Sequence, residues 1–355
     1  MTAPTGAETP AQKLSREDTD TSAALTAAET PARKRSRGLY RPHGLTWALL
    51  RVHRSALWFW LLYVAVTAAT ILWTYGPGAT AAMDELAASG CRDGGMPNLG
   101  CDTLGPDGAR WDSGVALGSA LLTVAPLLIA AWAGGSLIGR ELEDGTARLA
   151  WTQSVSPARW LAGKLAVPAV LIIAGTVPLT LLHRVMWAAT PELRQDSWNW
   201  YDTGIFEPHG TLTTAYALLG LALGVLVGLV ARRSLPGLGI ALVAMGIVVQ
   251  QFQSLRPHLW PAVTRTSAVG FEDDGSMTVG RGSYTSTGAR IPDLFCDGKA
   301  PCVARHDVAG VYRDYHPASH FWPLQLVETG ILLALATVAT LIAFTLVRRR
   351  TGASV

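Results

Sequence analysis

Apolar residues in this chain gather into six long runs, at 56–75, 115–138, 165–182, 212–231, 237–252 and 326–347, with polar stretches between them. Most of the runs approach the roughly 20 residues that an α-helix needs to cross a hydrocarbon core at 1.5 Å per residue. The pattern predicts an all-α integral membrane protein with six transmembrane helices over 56–347. It also predicts a short helix in the polar island between spans 2 and 3, and a polar loop region, 253–321, between spans 5 and 6. Trp58, Trp60, Trp73 and Tyr75 at the ends of the first run read as interfacial anchors.

The polar stretches separate by charge. Residues 1–37 have no apolar periodicity and predict a disordered tail; no apolar core follows the first Met, so no secretory signal is expected. Residues 38–55 include an amphipathic piece, Leu45, Leu49 and Val52 against Arg51, His53 and Arg54, which predicts an interfacial elbow helix. Basic residues concentrate in the tail, in the island after span 2, at Arg232 and Arg233, and in the C-terminal stretch 348–355 with Arg348, Arg349 and Arg350. The first loop, with Asp84, Glu85, Asp93, Asp102, Asp107 and Asp112, is acidic, and the second is aromatic. By the positive-inside rule both termini are cytoplasmic and the 253–321 loop lies outside. Gly220, Gly224 and Gly228 form a small-xxx-small ridge for close helix packing.

The island between spans 2 and 3 has a readable grammar. Arg140, Arg148, Arg159 and Lys164 share it with Glu141, Glu143 and Asp144, so it belongs in water beside the membrane. Gly145 is a natural helix stop, because glycine tolerates positive φ. Ser156-Pro157 reads as an N-cap followed by proline at the first helical position, restarting a helix that runs into the membrane.

The run RELEDGTARLAWTQSVSPARWLAGKL, residues 140–165, resembles the signature joining membrane helices 2 and 3 of type-2 ABC transporter permeases, in particular the actinobacterial group; the late HFWPLQLVETG is also similar. That resemblance implies a coupling helix docking on a separate ATP-binding subunit, through Arg140, Glu141, Glu143, Gly145, Thr146, Trp151, Thr152, Gln153, Ser154, Arg159, Trp160 and Lys164. It further implies a membrane-spanning permease subunit of an ATP-driven transporter, an exporter, working by alternating access with a second permease copy, as a homo- or heterodimer. A non-transporting membrane sensor or immunity protein, and a stand-alone secondary transporter, are the alternatives.

Composition narrows these classes. Hydrophobic residues make up 49% and charged residues 15%, which reads as a membrane protein in contact with lipid, and the resemblance implies a multi-pass protein of the bacterial plasma membrane. A net charge of +3 gives no reason to expect nucleic acid. There is no G-x-x-x-x-G-K-(S/T), G-x-S-x-G or H-E-x-x-H, so the chain is not expected to be an enzyme. It is expected to bind no cofactor itself, ATP lying on the partner. The four cysteines fall into local pairs, Cys91 with Cys101 and Cys296 with Cys302, whose simplest reading is two disulfides within outer loops, with other pairings and free thiols open. His316 and His320 read as solvated loop histidines rather than a metal site. Arg184, Gln250, Gln325 and Glu328 are the polar residues near the outer ends of spans, candidates for a transport path or for hydrogen bonds between helices. Glu328 has Arg184 or Arg256 as candidate partner. The transported substrate is not legible.

Overall fold

The computed structural model describes residues 54–89, 105–152, 155–194, 198–272, 274–292, 294, 296 and 299–351. The tail at 1–37, the elbow up to residue 53, Gln153, Ser154 and the pair Cys91 and Cys101 lie outside the described residues. Among the described residues six helical segments are long and apolar enough to cross a membrane: Arg54–Ala88, Pro106–Glu143, Pro157–Ala189, Leu212–Ala231, Ser234–His258 and Ala318–Arg350.

Several of these helices overrun their apolar runs, because neighbouring side chains satisfy their polar ends. The first segment comprises α1 (Arg54–Trp73), a π-helical turn (Thr74–Gly78) and α2 (Ala79–Ala88). Pro77 lies in the wide turn, where its missing N–H removes a ladder bond. Glu85 of α2 accepts hydrogen bonds from the N–H groups of Asp107 (2.9 Å) and Gly108 (2.8 Å). It thereby caps α3 (Pro106–Trp132), which starts in what the charge pattern reads as loop. A second π-helical stretch, Ala133–Gly139, leads into α4 (Arg140–Glu143), followed by α5 (Thr146–Thr152) and α6 (Pro157–Ala189). After the one-turn α7 (Thr203–Phe206) come α8 (Leu212–Ala231) and α9 (Ser234–Leu255).

Helix α8 is the axis of the bundle, with 61% of its most apolar window buried against 11% for the first segment. Its glycines make that possible. A Cβ on Gly220, Gly224 or Gly228 would come within 2.6, 2.4 and 2.7 Å of the carbonyl oxygens of Pro126, Ala130 and Gly134, which leaves no room for a side chain. The small ridge therefore seats α8 on the second span of its own chain. Around this line Ile129, Ala133, Leu137, Val225 and Leu229 form one apolar cluster, while Tyr216, Leu219, Met245, Leu324 and Leu332 form another.

Between the fifth and sixth segments the polar loop folds into an antiparallel sheet ordered β1-β4-β2-β3: β1 (Val263–Ser267), β2 (Met277–Thr285), β3 (Arg290–Pro292) and β4 (Val308–His316). The register pairs Val263 with Tyr315 and Ser283 with Val311. Between β3 and β4, α10 (Ala300–Arg305) is fastened by the Cys296–Cys302 disulfide. The last helix, α11 (Phe321–Thr351), carries the three terminal arginines.

Candidate functional site

Charged residues near the membrane segments concentrate at the two ends of the bundle. At the loop end, α4 and α5 form a bent polar element between the second and third spans. Gly145, at φ +72°, makes the bend, in a backbone region that L side chains rarely adopt. Ser156 Oγ accepts from Arg159 N–H at 3.3 Å, and Pro157 occupies the first turn of α6.

The acidic residues of this element are committed inside the chain. Glu141 pairs with Lys164, whose side chain is 2% exposed. Glu143 Oε2 accepts from the N–H and the hydroxyl of Ser234, both at 2.8 Å, and so caps the start of α9. Trp151 packs edge-on to buried Trp160, with ring centroids 5.7 Å apart, and fastens α5 to the bundle. What remains outward is a mixed face: Arg140, Asp144, Arg148, Leu149, Thr152 and Arg159 are exposed, Leu149 at 62%. Arg140 and Asp144 form a surface pair at 3.5 Å. At the same end, Arg350 donates to the Leu229 carbonyl beside Arg232, which closes α8 in the left-handed conformation.

At the sheet end a buried charged cluster joins four elements. Arg256 bonds Glu328 through Nε (2.8 Å) and Nη2 (3.0 Å), and Glu207 through Nη2 (3.0 Å). Tyr216 donates to Glu328 at 2.6 Å, and Gln253 donates to Glu207 at 3.0 Å. The guanidinium carbon lies 4.4 Å from the Phe206 ring centroid. Glu207, Arg256 and Glu328 are at most 3% exposed, so one cation faces two carboxylates out of water. Burial pushes the Glu207 carboxyl up, against the opposing pull of Arg256.

Beside this cluster a second buried chain runs from Ser119 Oγ to His183 Nε2 (3.0 Å), and from His183 Nδ1 to His209 Nδ1 (3.2 Å). Burial, then His183 and the Arg184 and Arg194 cations, pushes the His209 ring down to about 3, so it is held neutral.

The residues singled out from sequence divide accordingly. Gln325 joins the sheet-end core, donating to the Phe206 carbonyl and accepting from Thr211 N–H. Glu328 takes Arg256 as its partner, while Arg184 lies over the Trp322 ring at 4.9 Å. Gln250 is exposed and apart from the others. His316 corrects the expectation of a solvated histidine. It is fully buried at the end of β4, 2.9 Å from both the Pro257 carbonyl and His320 Nδ1. Among the described residues no group of three or more His, Cys, Asp or Glu is placed to hold a metal ion.

Sequence reasoning missed Glu207 and Tyr216. Glu207 sits in a loop whose aromatic content gives no sign that it is buried, and Tyr216 reads as one more apolar position of a span.

Residues 61–256 match the family described as ABC-2 membrane transporter related. No curated protein and no solved structure matches the chain. The matched stretch takes in most of the first span, the second span, the polar island between the second and third, and the third, fourth and fifth spans as far as Arg256, more than half of the chain. With six membrane-length helices, the chain is a multi-pass membrane protein that belongs to the ABC-2 membrane transporter related family, the permease component of an ABC transporter rather than an enzyme.

Proposed function

We propose that this permease is the membrane half of an ATP-driven exporter, and that α4 and α5 form the element on which a separate ATP-binding subunit docks. The observation that carries the reading is how the loop's charges are shared out. Glu141 and Glu143 are used within the chain to fix the element against α6 and α9. Arg148, Leu149, Thr152 and Arg159, with the Arg140–Asp144 surface pair, are left outward as a mixed apolar and charged face with an excess of arginine. Such a face, on a scaffold held by its own hydrogen bonds, has the character of a protein interface. Gln153 and Ser154 belong to the same proposed element.

Charge supports the orientation. Arg140, Arg148, Arg159, Arg232, Arg233 and the arginines at 348–350 gather at the loop end, which the positive-inside rule assigns to the cytoplasm. The Cys296–Cys302 disulfide is at the opposite end, in keeping with an oxidising exterior and with a bacterial plasma membrane location. In this reading ATP is bound by the partner, and nucleotide-driven closure of two such subunits pushes the loop element. The Lys164 and Ser234 bonds pass the push into α6 and α9, giving alternating access between two permease copies, identical or paralogous.

The test is co-purification from native membranes in mild detergent, comparing wild type with the pair Arg148→Glu/Leu149→Asp. An ATP-binding protein bound to wild type and lost from the pair supports the reading. Wild type that brings down no ATPase refutes it.

A further inference from the structure

We propose that Arg232, Arg233, Arg348, Arg349 and Arg350 form one binding site for the headgroup of an anionic phospholipid, at the loop end of α8, α9 and α11. They come from two distant stretches of chain that the fold joins. Leu229 of α8 and Val347 of α11 are buried in the same apolar cluster, just ahead of the arginines. Arg350 then donates to the carbonyl of Leu229, 121 residues earlier in the chain, and comes close enough to Arg232 for the two cations to repel. All five side chains are exposed.

The charge of this cluster is left over. Arg256, Arg290 and Arg313 at the sheet end each meet a carboxylate. Among the described residues none pairs with Arg232, Arg233, Arg349 or Arg350. Glu143 lies in the field of Arg233, but its Oε2 already accepts both donors of Ser234. A group of about four to eight basic side chains beside a membrane helix draws anionic headgroups to it. The planar fork of a guanidinium suits the phosphate, because it can hold two oxygens at once.

What lies beneath the arginines selects a lipid rather than an acidic protein. In α11, exposed Leu341 and Ile342 stand two helical turns before Arg348 and Arg349 and share their faces, about 11 Å deeper along the axis. In α8 and α9, Val230 and Leu235, the latter 79% exposed, flank Arg232 and Arg233. Each group of arginines therefore heads a lane of exposed apolar side chains within a membrane-length segment. That is the layout of a phospholipid, with phosphate at the water's edge and acyl carbon below. An acidic protein surface would meet the arginines and have no use for the lanes. This site goes beyond the transport reading and does not depend on it.

The test uses the purified permease alone in phosphatidylcholine nanodiscs. Two probes carry the same photoreactive diazirine in the upper part of one acyl chain: a phosphatidylglycerol and a phosphatidylcholine. On peptides containing Leu341 and Ile342, and on those containing Val230 and Leu235, the anionic probe should give about tenfold more adduct or better. On the outer half of α11, around Leu326 and Ile331, the two probes should label alike. Arg349→Gln should lower the anionic preference about fivefold, the equivalent of one arginine at a charged surface. Its loss should appear on both peptides, the distant one included. Arg232→Asn/Arg233→Gln, with Asn tolerating the left-handed backbone at position 232, should likewise act on the α11 peptide. Arg349 makes no bond within the described chain, so its replacement leaves the fold standing if the pair does not. Equal labelling by both probes at the loop end of wild type would leave the arginines to an acidic protein and overturn the proposal. A loss confined to the peptide that carries the change would also overturn it, since two separate attractions are not one site. Since no ATP-binding subunit is present, its failure is distinguishable from failure of the docking reading.

Discussion

The two ends of this bundle use carboxylates in opposite ways. At the loop end Glu141 pairs with buried Lys164 and Glu143 caps Ser234, and Arg140, Arg148 and Arg159 are left outward. At the sheet end Glu207 and Glu328 share one guanidinium at no more than 3% exposure, with Tyr216 and Gln253 filling further positions. The first arrangement fixes a scaffold and keeps a face available. The second closes a joint between α7, α8, the end of α9 and α11, and offers nothing outward. The contrast teaches that being charged near a membrane is not by itself a mark of function. What matters is whether the charge is spent within the chain.

The comparison breaks first at Arg256. Arg256→Met leaves two buried carboxylates without a cation, and breaking a buried pair in this way costs about 3–5 kcal/mol. The expected result is a large fall in the thermal midpoint in detergent, whereas removing Arg140, whose pair with Asp144 is exposed, changes it by less than about 1 kcal/mol. Equal effects would remove the distinction between the ends.

The two glutamates of the joint sharpen it further. Glu328 takes two bonds from Arg256 and one from Tyr216, while burial already favours the proton on Glu207. Glu207→Gln keeps an acceptor for Gln253 and relieves the excess negative charge, so it should cost about 1 kcal/mol or less. Glu328→Gln should cost several times more. Thermal unfolding of the two variants side by side checks the order.

Acid gives a third, smaller difference. His209 is held neutral down to about 3 in the folded chain, against 6.5 when free, so between those values the unfolded chain binds more protons. Stability present above pH 6.5 is therefore lost progressively as pH falls towards 3. Glu207, with its pKa raised, works in the opposite sense and gains as it takes its proton. His209→Gln should flatten the acid decline of the melting temperature and Glu207→Gln should steepen it. The smallest effect on stability is expected at Leu149. Leu149→Asp on an exposed position should stay within about 0.5 kcal/mol of wild type while weakening ATPase capture. A variant that melts early would show Leu149 to be structural.

Much of the frame was legible in the sequence because membrane burial has a long-range signature, the apolar run, and because Gly145 and Ser156-Pro157 are local signals. The Gly220, Gly224 and Gly228 ridge was legible too, although its partner, the carbonyls of residues 126–134, comes only from the fold. The joint was half legible. Glu328 stood out as a carboxylate within a span and Arg256 as one of two partners for it, but choosing between Arg256 and Arg184 requires tertiary packing. Glu207 and His209 were hidden because a short polar loop gives no periodicity to announce burial. The sheet lies in a stretch whose Gly, Ser, Thr and Asp clusters signal only turns and short strands, its pairing being non-local.

The most direct measurement places a photoreactive phenylalanine analogue at position 149 or at position 269, one at each end of the molecule and both exposed, Val269 at 98%. Irradiation of native membranes is followed by mass spectrometry of the cross-linked partners. The expected result is an adduct with an ATP-binding protein from position 149 and none from position 269. An ATP-binding adduct from position 269, or none from position 149 in membranes where the ATPase is present, would contradict the assignment of the loop end as the docking face.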